Sequence, residues 1–210
     1  MRARVSEGAP LLAGEAEIAP SRSHAEILRG VIRGERWANA ALYDALFPLV
    51  IRTLQKILRD PAADYDDLVQ TTFERIVRTL PHDRATPVSS LSGWAGAITA
   101  HVALDALRVK IRERRLFPGE HASRNGSGSA AVPSLERQLE ARHELVWVQG
   151  ALARMNPEQA QTLLLHDVLG HDLVETANAT GVTVAAAQKR LSRARQDLLR
   201  RAKRRTGETR

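Results

Sequence analysis

Apolar residues recur at three- and four-residue steps along most of this chain, the period of helices that each bury one face. The pattern is cleanest near the C-terminus. From about Val184, the positions Val184, Ala187, Leu191, Ala194 and Leu198 share one side, while Ala185, Lys189, Ser192, Arg193 and Gln196 project the other way. A shorter helix precedes it: Asp172 stands at an N-cap, Glu175 three residues on completes a capping box, and Gly181 suits the left-handed backbone that reverses the chain. Thr183 can cap the second helix. Asp172 to Arg195 therefore reads as two short helices joined at Gly181, with small and basic groups on the outer side of the second. A helix that enters a major groove needs small residues at its mouth and donors behind them.

Upstream, a short helix from about Ser23 (Ile27, Leu28, Val31, Ile32) leads through Gly34 into a long one whose apolar side is Trp37, Ala41, Leu42, Ala45, Leu49, Ile51, Leu54 and Leu58. Pro48 interrupts that helix's hydrogen bonding. The next helix is capped by Asp64 with Asp67 at its third position, and Tyr65, Leu68, Val69, Thr72, Phe73, Ile76, Val77 and Leu80 form its buried stripe. Asp67, Gln70 and Glu74 lie opposite. The turn-rich segment Pro81 to Ser90 separates it from a helix beginning near Leu91 and ending about Arg115 in a basic stretch. Pro118 to Ser134, rich in Pro, Gly and Ser, reads as a flexible linker that lets the two halves move apart. Helices at about Leu135 to Arg154 and Pro157 to Val168 complete the second half. The expected organisation is a loose tail over 1–22, a helical domain over 23–115, a linker over 116–136 and a second helical domain over 137–205.

Composition narrows the class. With aromatics at 4% and a core of Leu, Ala, Ile and Val, the chain is expected to be all-α. It has no cysteine, so disulfides and thiolate metal sites are excluded. No stretch reaches the ~18 to 20 apolar residues of a membrane span, and the N-terminus lacks a signal-peptide layout, so the expected location is the cytoplasm without membrane insertion. Net charge is +7, and from Gln188 to Arg205 nine basic residues face one acid, Asp197. Such a run suits a polyanion through release of its counterions.

No catalytic constellation emerges. His166 and His171 straddle Gly170 without a third ligand, Gly126-Ser127-Gly128 is too short to cradle a phosphate, and Asp66 with Asp67 is a dipole-matched helix start. Neither metal nor cofactor is expected, nor enzymatic activity.

Taken together, two helical modules, an acid-and-Gln helix, a basic helix end before a linker, and a C-terminal helix-turn-helix resemble a bacterial extracytoplasmic-function sigma factor over about Ala25 to Arg201. The most specific segment is Asp67-Leu68-Val69-Gln70-Thr71-Thr72-Phe73, which matches the family form Asp-Leu-Val-Gln-x-x-Phe. Gly93-Trp94-Ala95, Ile98-Thr99-Ala100-His101 and Asp105-Ala106-Leu107-Arg108 follow the family pattern, as does Arg190-Leu191-Ser192-Arg193-Ala194-Arg195. The resemblance implies that Asp67, Gln70 and Glu74 dock on the clamp of the RNA polymerase largest subunit. It implies that the helix of Trp94, His101, Asp105, Arg108, Lys110 and Arg112, with the loop before it, reads and opens a downstream (−10-type) promoter element. It assigns the upstream (−35-type) element to Ala186, Gln188, Lys189, Arg190, Arg193 and Arg195, and an anti-sigma factor is the expected further partner. His101 stands where the family usually has Asn, and Thr176, Thr180 and Ala187 replace larger apolar residues, which predicts a weakly packed helix pair. Two other readings compete: a sigma-like DNA-binding regulator without productive polymerase docking, excluded by transcription with purified core, and a helical protein-interaction module, which would show no salt-dependent DNA affinity.

Overall fold

The computed structural model describes residues 23–60, 63–80, 91–116 and 135–207. Among them there are eight α-helices and no strand. In order these are α1 (His24–Ile32), α2 (Arg36–Leu58), α3 (Tyr65–Thr79), α4 (Leu91–Leu116), α5 (Leu135–Ala153), α6 (Pro157–Leu163), α7 (Leu173–Thr180) and α8 (Val184–Thr206), with one wider π-type turn, Leu164–Val168, after α6. The expected tail, the loop over Pro81 to Ser90 and the linker from Pro118 to Ser134 lie outside the described residues.

Local chemistry sets the helix ends. Ser23 and Glu26 form a capping box on α1, Asp64 accepts from the backbone N–H of Asp67 on α3, and Asn156 caps α6 ahead of Pro157. Helices α1 and α2 meet where Gly30 lacks a side chain: a Cβ there would fall 2.7 Å from that of Ala38. α2 continues through Pro48 as one helix, burying Leu42, Leu46, Val50, Leu54 and Leu58. Leu46 and Val50 belong to this stripe, whereas Ala45 points to solvent. Position 45 is one helical step from Leu46, so a small error of phase exchanges a core residue for an exposed one.

α4 is the centre of the molecule. Leu91, Ala95, Ala97, Ala100, Val102, Ala103, Leu104 and Leu107 are buried, together with Gly93 and Gly96, so this helix is covered all round rather than along one stripe. Its many small side chains let neighbouring helices approach closely. α2 and α3 pack on one side, while α5, α6, the π turn and α7 pack on the others. One continuous apolar cluster runs from Ile27 and Leu42 through α4 to Leu164, Leu191 and Ala194. In this arrangement the helices of the second module pack against α4 of the first.

Candidate nucleic-acid interface and docking face

The helix-turn-helix forms as its caps predict. Asp172 and Glu175 make the reciprocal capping box, Gly181 adopts φ +67° at the end of α7, and Thr183 accepts from the backbone N–H of Ala186 to start α8. In α8, Ala187, Leu191 and Ala194 turn inward. Val184, expected on that face, is 43% exposed at the first position of α8.

On the outward side, Ala185, Gln188, Lys189, Ser192, Arg193 and Gln196 line a shallow concave patch. All six are exposed. Gln188, Lys189 and Arg193 face solvent in this patch; Ala186 is half-buried beside it, and Ala185 supplies its small mouth. Ser192 and Gln196 complete the patch, and the helical period alone identifies both.

Two of the expected DNA contacts are turned back onto the protein. Arg190 pairs with Glu158 of α6 at 2.8 Å, and the fork of Arg195 takes both carboxylate oxygens of Asp167, at 3.0 Å and 2.6 Å. The Arg195 hydrogen bonds hold the Asp167 carboxyl below the usual carboxylate range, with His166 assisting, and they raise the Arg195 guanidinium. These pairs flank the patch and brace α8 against the helix and π turn beneath it. In the C-terminal run, Arg201 pairs with Asp197, and Arg205 pairs with Glu144 and lies over the Trp147 ring.

The candidates on α4 are similarly engaged. Asp105 gathers Arg75 at 3.0 Å, Arg108 at 3.0 Å and His101 at 3.6 Å. Arg108 also donates to the carbonyl of Ala153 at 3.4 Å, while its second terminal nitrogen is buried without a partner. Lys110 pairs with Asp60 at the end of α2. Arg112 is exposed, and Trp94 is half-buried against the core.

On α3, Asp67, Gln70 and Glu74 are all exposed, and the Gln70 amide donates to Glu74 at 3.1 Å. They do not form one patch. Gln70 and Glu74 border a shallow groove floored by Tyr43, Phe47, Phe73 and Val77, in which the Tyr43 ring stacks on Phe47 at 5.3 Å and meets Phe73 at 4.5 Å. Asp67 faces a cleft of about 590 Å³ between α3 and α4, together with Asp60, Asp64, Asp105 and Lys110. Val77, expected in the core, is 49% exposed in the first groove. The period of α3 did not reveal this groove because half of it comes from α2.

Among the described residues no group of three His, Asp or Glu could hold a metal, and no helix is long and apolar enough to cross a membrane.

An all-helical chain that presents a cationic, small-mouthed helix from a helix-turn-helix is a DNA-binding protein of that class. Family models place it further: Sigma-70 region 2 matches residues 42–113, and Sigma-70, region 4 matches residues 145–198. A probable RNA polymerase sigma-C factor of Mycobacterium bovis is 31% identical over 135 residues, 64% of this chain and 68% of that protein. The ECF RNA polymerase sigma factor SigM of Mycobacterium tuberculosis is 28% identical over 185 residues, covering 85% of this chain and 84% of that one. Among solved structures, that of CnrH in complex with the cytosolic domain of CnrY is similar with a TM-score of 0.46 and 21% identity, over 82% of this chain and 92% of that one. The chain belongs to the extracytoplasmic-function family of RNA polymerase sigma factors, and it directs RNA polymerase to promoters to initiate transcription.

Proposed function

We propose that the outward patch of α8 reads the upstream promoter element and that α3, with the aromatic groove beside it, docks on the clamp of the polymerase largest subunit. The observation that carries the first assignment is the exposed set Gln188, Lys189, Ser192, Arg193 and Gln196 around the small Ala185. The Arg193 guanidinium offers two donors to a guanine edge, a Gln amide pairs one donor with one acceptor for an adenine edge, and the ammonium of Lys189 supplies a phosphate or guanine contact. Arg190 and Arg195 set the pitch of the reading helix through Glu158 and Asp167.

For docking, Gln70 and Glu74 provide polar direction at the rim of an apolar floor, the anatomy of a protein interface with a dry centre and a polar edge. α4 and the loop over 81–90 take the downstream element, Arg112 from an exposed position and Trp94 and His101 from half-buried ones. An anti-sigma factor would act by covering these same surfaces. Reconstitution tests the whole reading: purified core polymerase plus this chain should start transcription at defined sites, and starts that are the same with and without the chain would refute it.

A further inference from the structure

The groove between α2 and α3 leaves three large apolar side chains bare: Tyr43 is 43% exposed, Phe47 37% and Val77 49%. A bare aromatic cluster with a polar rim marks an interaction site. Along α3 that rim runs Asp66, Gln70, Glu74, Arg78, all exposed, acidic at one end and basic at the other.

The N-terminal segment enters the fold beside this groove. Gly30 of α1 lies against Ala38 of α2, and the connection over residues 33–35 is short enough to make the two helices antiparallel. Ser23 is seven residues back from Gly30, and Ala45 is seven forward from Ala38, so Ser23 sits about level with Ala45, between Tyr43 and Phe47. Phe47 is nine positions from Ala38, or about two and a half turns, so it points to the flank of α2 opposite α1. A segment leaving Ser23 must therefore cross half the girth of α2, about 16 to 19 Å for a helix about 10 to 12 Å across. Leu12 is eleven residues from Ser23, a reach of up to about 36 to 40 Å. Residues 1–22 hold one pair of adjacent large apolar residues, Leu11-Leu12, with Arg2 and Arg4 before it and Glu15 and Glu17 after it. Base, apolar, acid along this segment matches acid, apolar, base along the groove.

We propose that Leu11-Leu12 seats in the α2–α3 groove of its own chain, with Arg2 and Arg4 toward Asp66 and Glu74 and Glu15 toward Arg78, and so competes with the polymerase clamp for this face. The seating follows from groove, reach and charge order; only the competition rests on the clamp reading above. A groove left open about a tenth to a quarter of the time weakens partner binding about four- to tenfold.

The chain has no cysteine, so a single nitroxide can be placed at Gly14→Cys, two residues from Leu12. In the full chain it should broaden the NMR signals of Tyr43, Phe47, Phe73 and Val77 and spare Val174 and Val184 of the helix-turn-helix, which are comparably exposed. Broadening that misses the groove, or that falls evenly on these valines, would overturn the seating. Groove broadening in an isotope-enriched chain without a nitroxide, mixed with a labelled chain of natural abundance, would do the same, since the occupant would then belong to a second copy. Leu11→Ser with Leu12→Ser should release the label from the groove and tighten core polymerase binding about four- to tenfold. Unchanged affinity in a variant whose label has left the groove would overturn the competition. If core polymerase binds neither chain, it is the clamp reading that fails; the label still decides the seating.

Discussion

Replacing Thr176 with valine should stabilise the protein, although the same change at neighbouring threonines should weaken it. Thr176 lies in α7 with 0% exposure, and its hydroxyl has no hydrogen-bond partner. Thr162 is equally buried, but its hydroxyl donates to the carbonyl of Glu158 at 2.7 Å. Valine keeps the β-branched shape and has similar helix propensity, so the hydroxyl is the main variable. A buried hydroxyl without a partner costs about 1 to 3 kcal/mol, and removing it recovers that cost. For a chain of this length, each kcal/mol moves the midpoint by roughly 2 to 4 °C. Thr176→Val should therefore raise Tm by about 2 to 12 °C. Thr162→Val should lower it, because a made hydrogen bond worth about 0.5 to 1.5 kcal/mol is lost. Differential scanning calorimetry on both variants decides the matter. If Thr176→Val melts below the parent, the hydroxyl has a partner after all and the accounting is wrong.

Three further outcomes follow from the same geometry. Lys189→Ala or Arg193→Ala should weaken upstream-element binding by about 1 to 3 kcal/mol, with the salt slope falling by about one where a phosphate contact is lost. Titrations over a salt series check this, and unchanged binding in both variants contradicts the assigned face. Asp67→Ala with Gln70→Ala should leave the melting curve near the parent's, since both side chains are exposed, and weaken co-purification with core polymerase. Retention equal to the parent's would place the interface elsewhere. As for pH, the folded-state pKa of Asp167 is depressed, so its contribution is present above the unfolded value of about 3.9 and is lost as pH falls through the lower folded value. Because the pair is exposed, the loss should be only a few tenths of a kcal/mol. Asp167→Asn should flatten the acid limb of the Tm–pH curve below about pH 4, and an unaltered limb would show that the pair adds nothing.

Much of this protein is decided within a few residues of chain. The Asp172–Glu175 capping box, the Thr183 cap and the start of α3 at Asp64 depend on side chains reaching backbone groups three positions away, the Gly181 reversal depends on a left-handed backbone, and all appear as their residues imply. The outward set on α8 follows from helical phase for the same reason. Contacts between distant segments are not written this way. Period alone did not show that Arg190 and Arg195 turn back to Glu158 and Asp167, that Asp67 leaves Gln70 and Glu74 for a different cleft, or that Tyr43 and Phe47 complete a groove with α3. Nor did it show that helices of the second module pack against α4. The small residues of α4 were plain in the chain, but a helix of Gly and Ala favours close neighbours without naming them. Only the assembled molecule sets Gln149 beneath the end of α2 and Gln161 against Ala97, because those carbonyls become acceptors for a partner about 60 to 90 residues away in sequence only after both helices are in place.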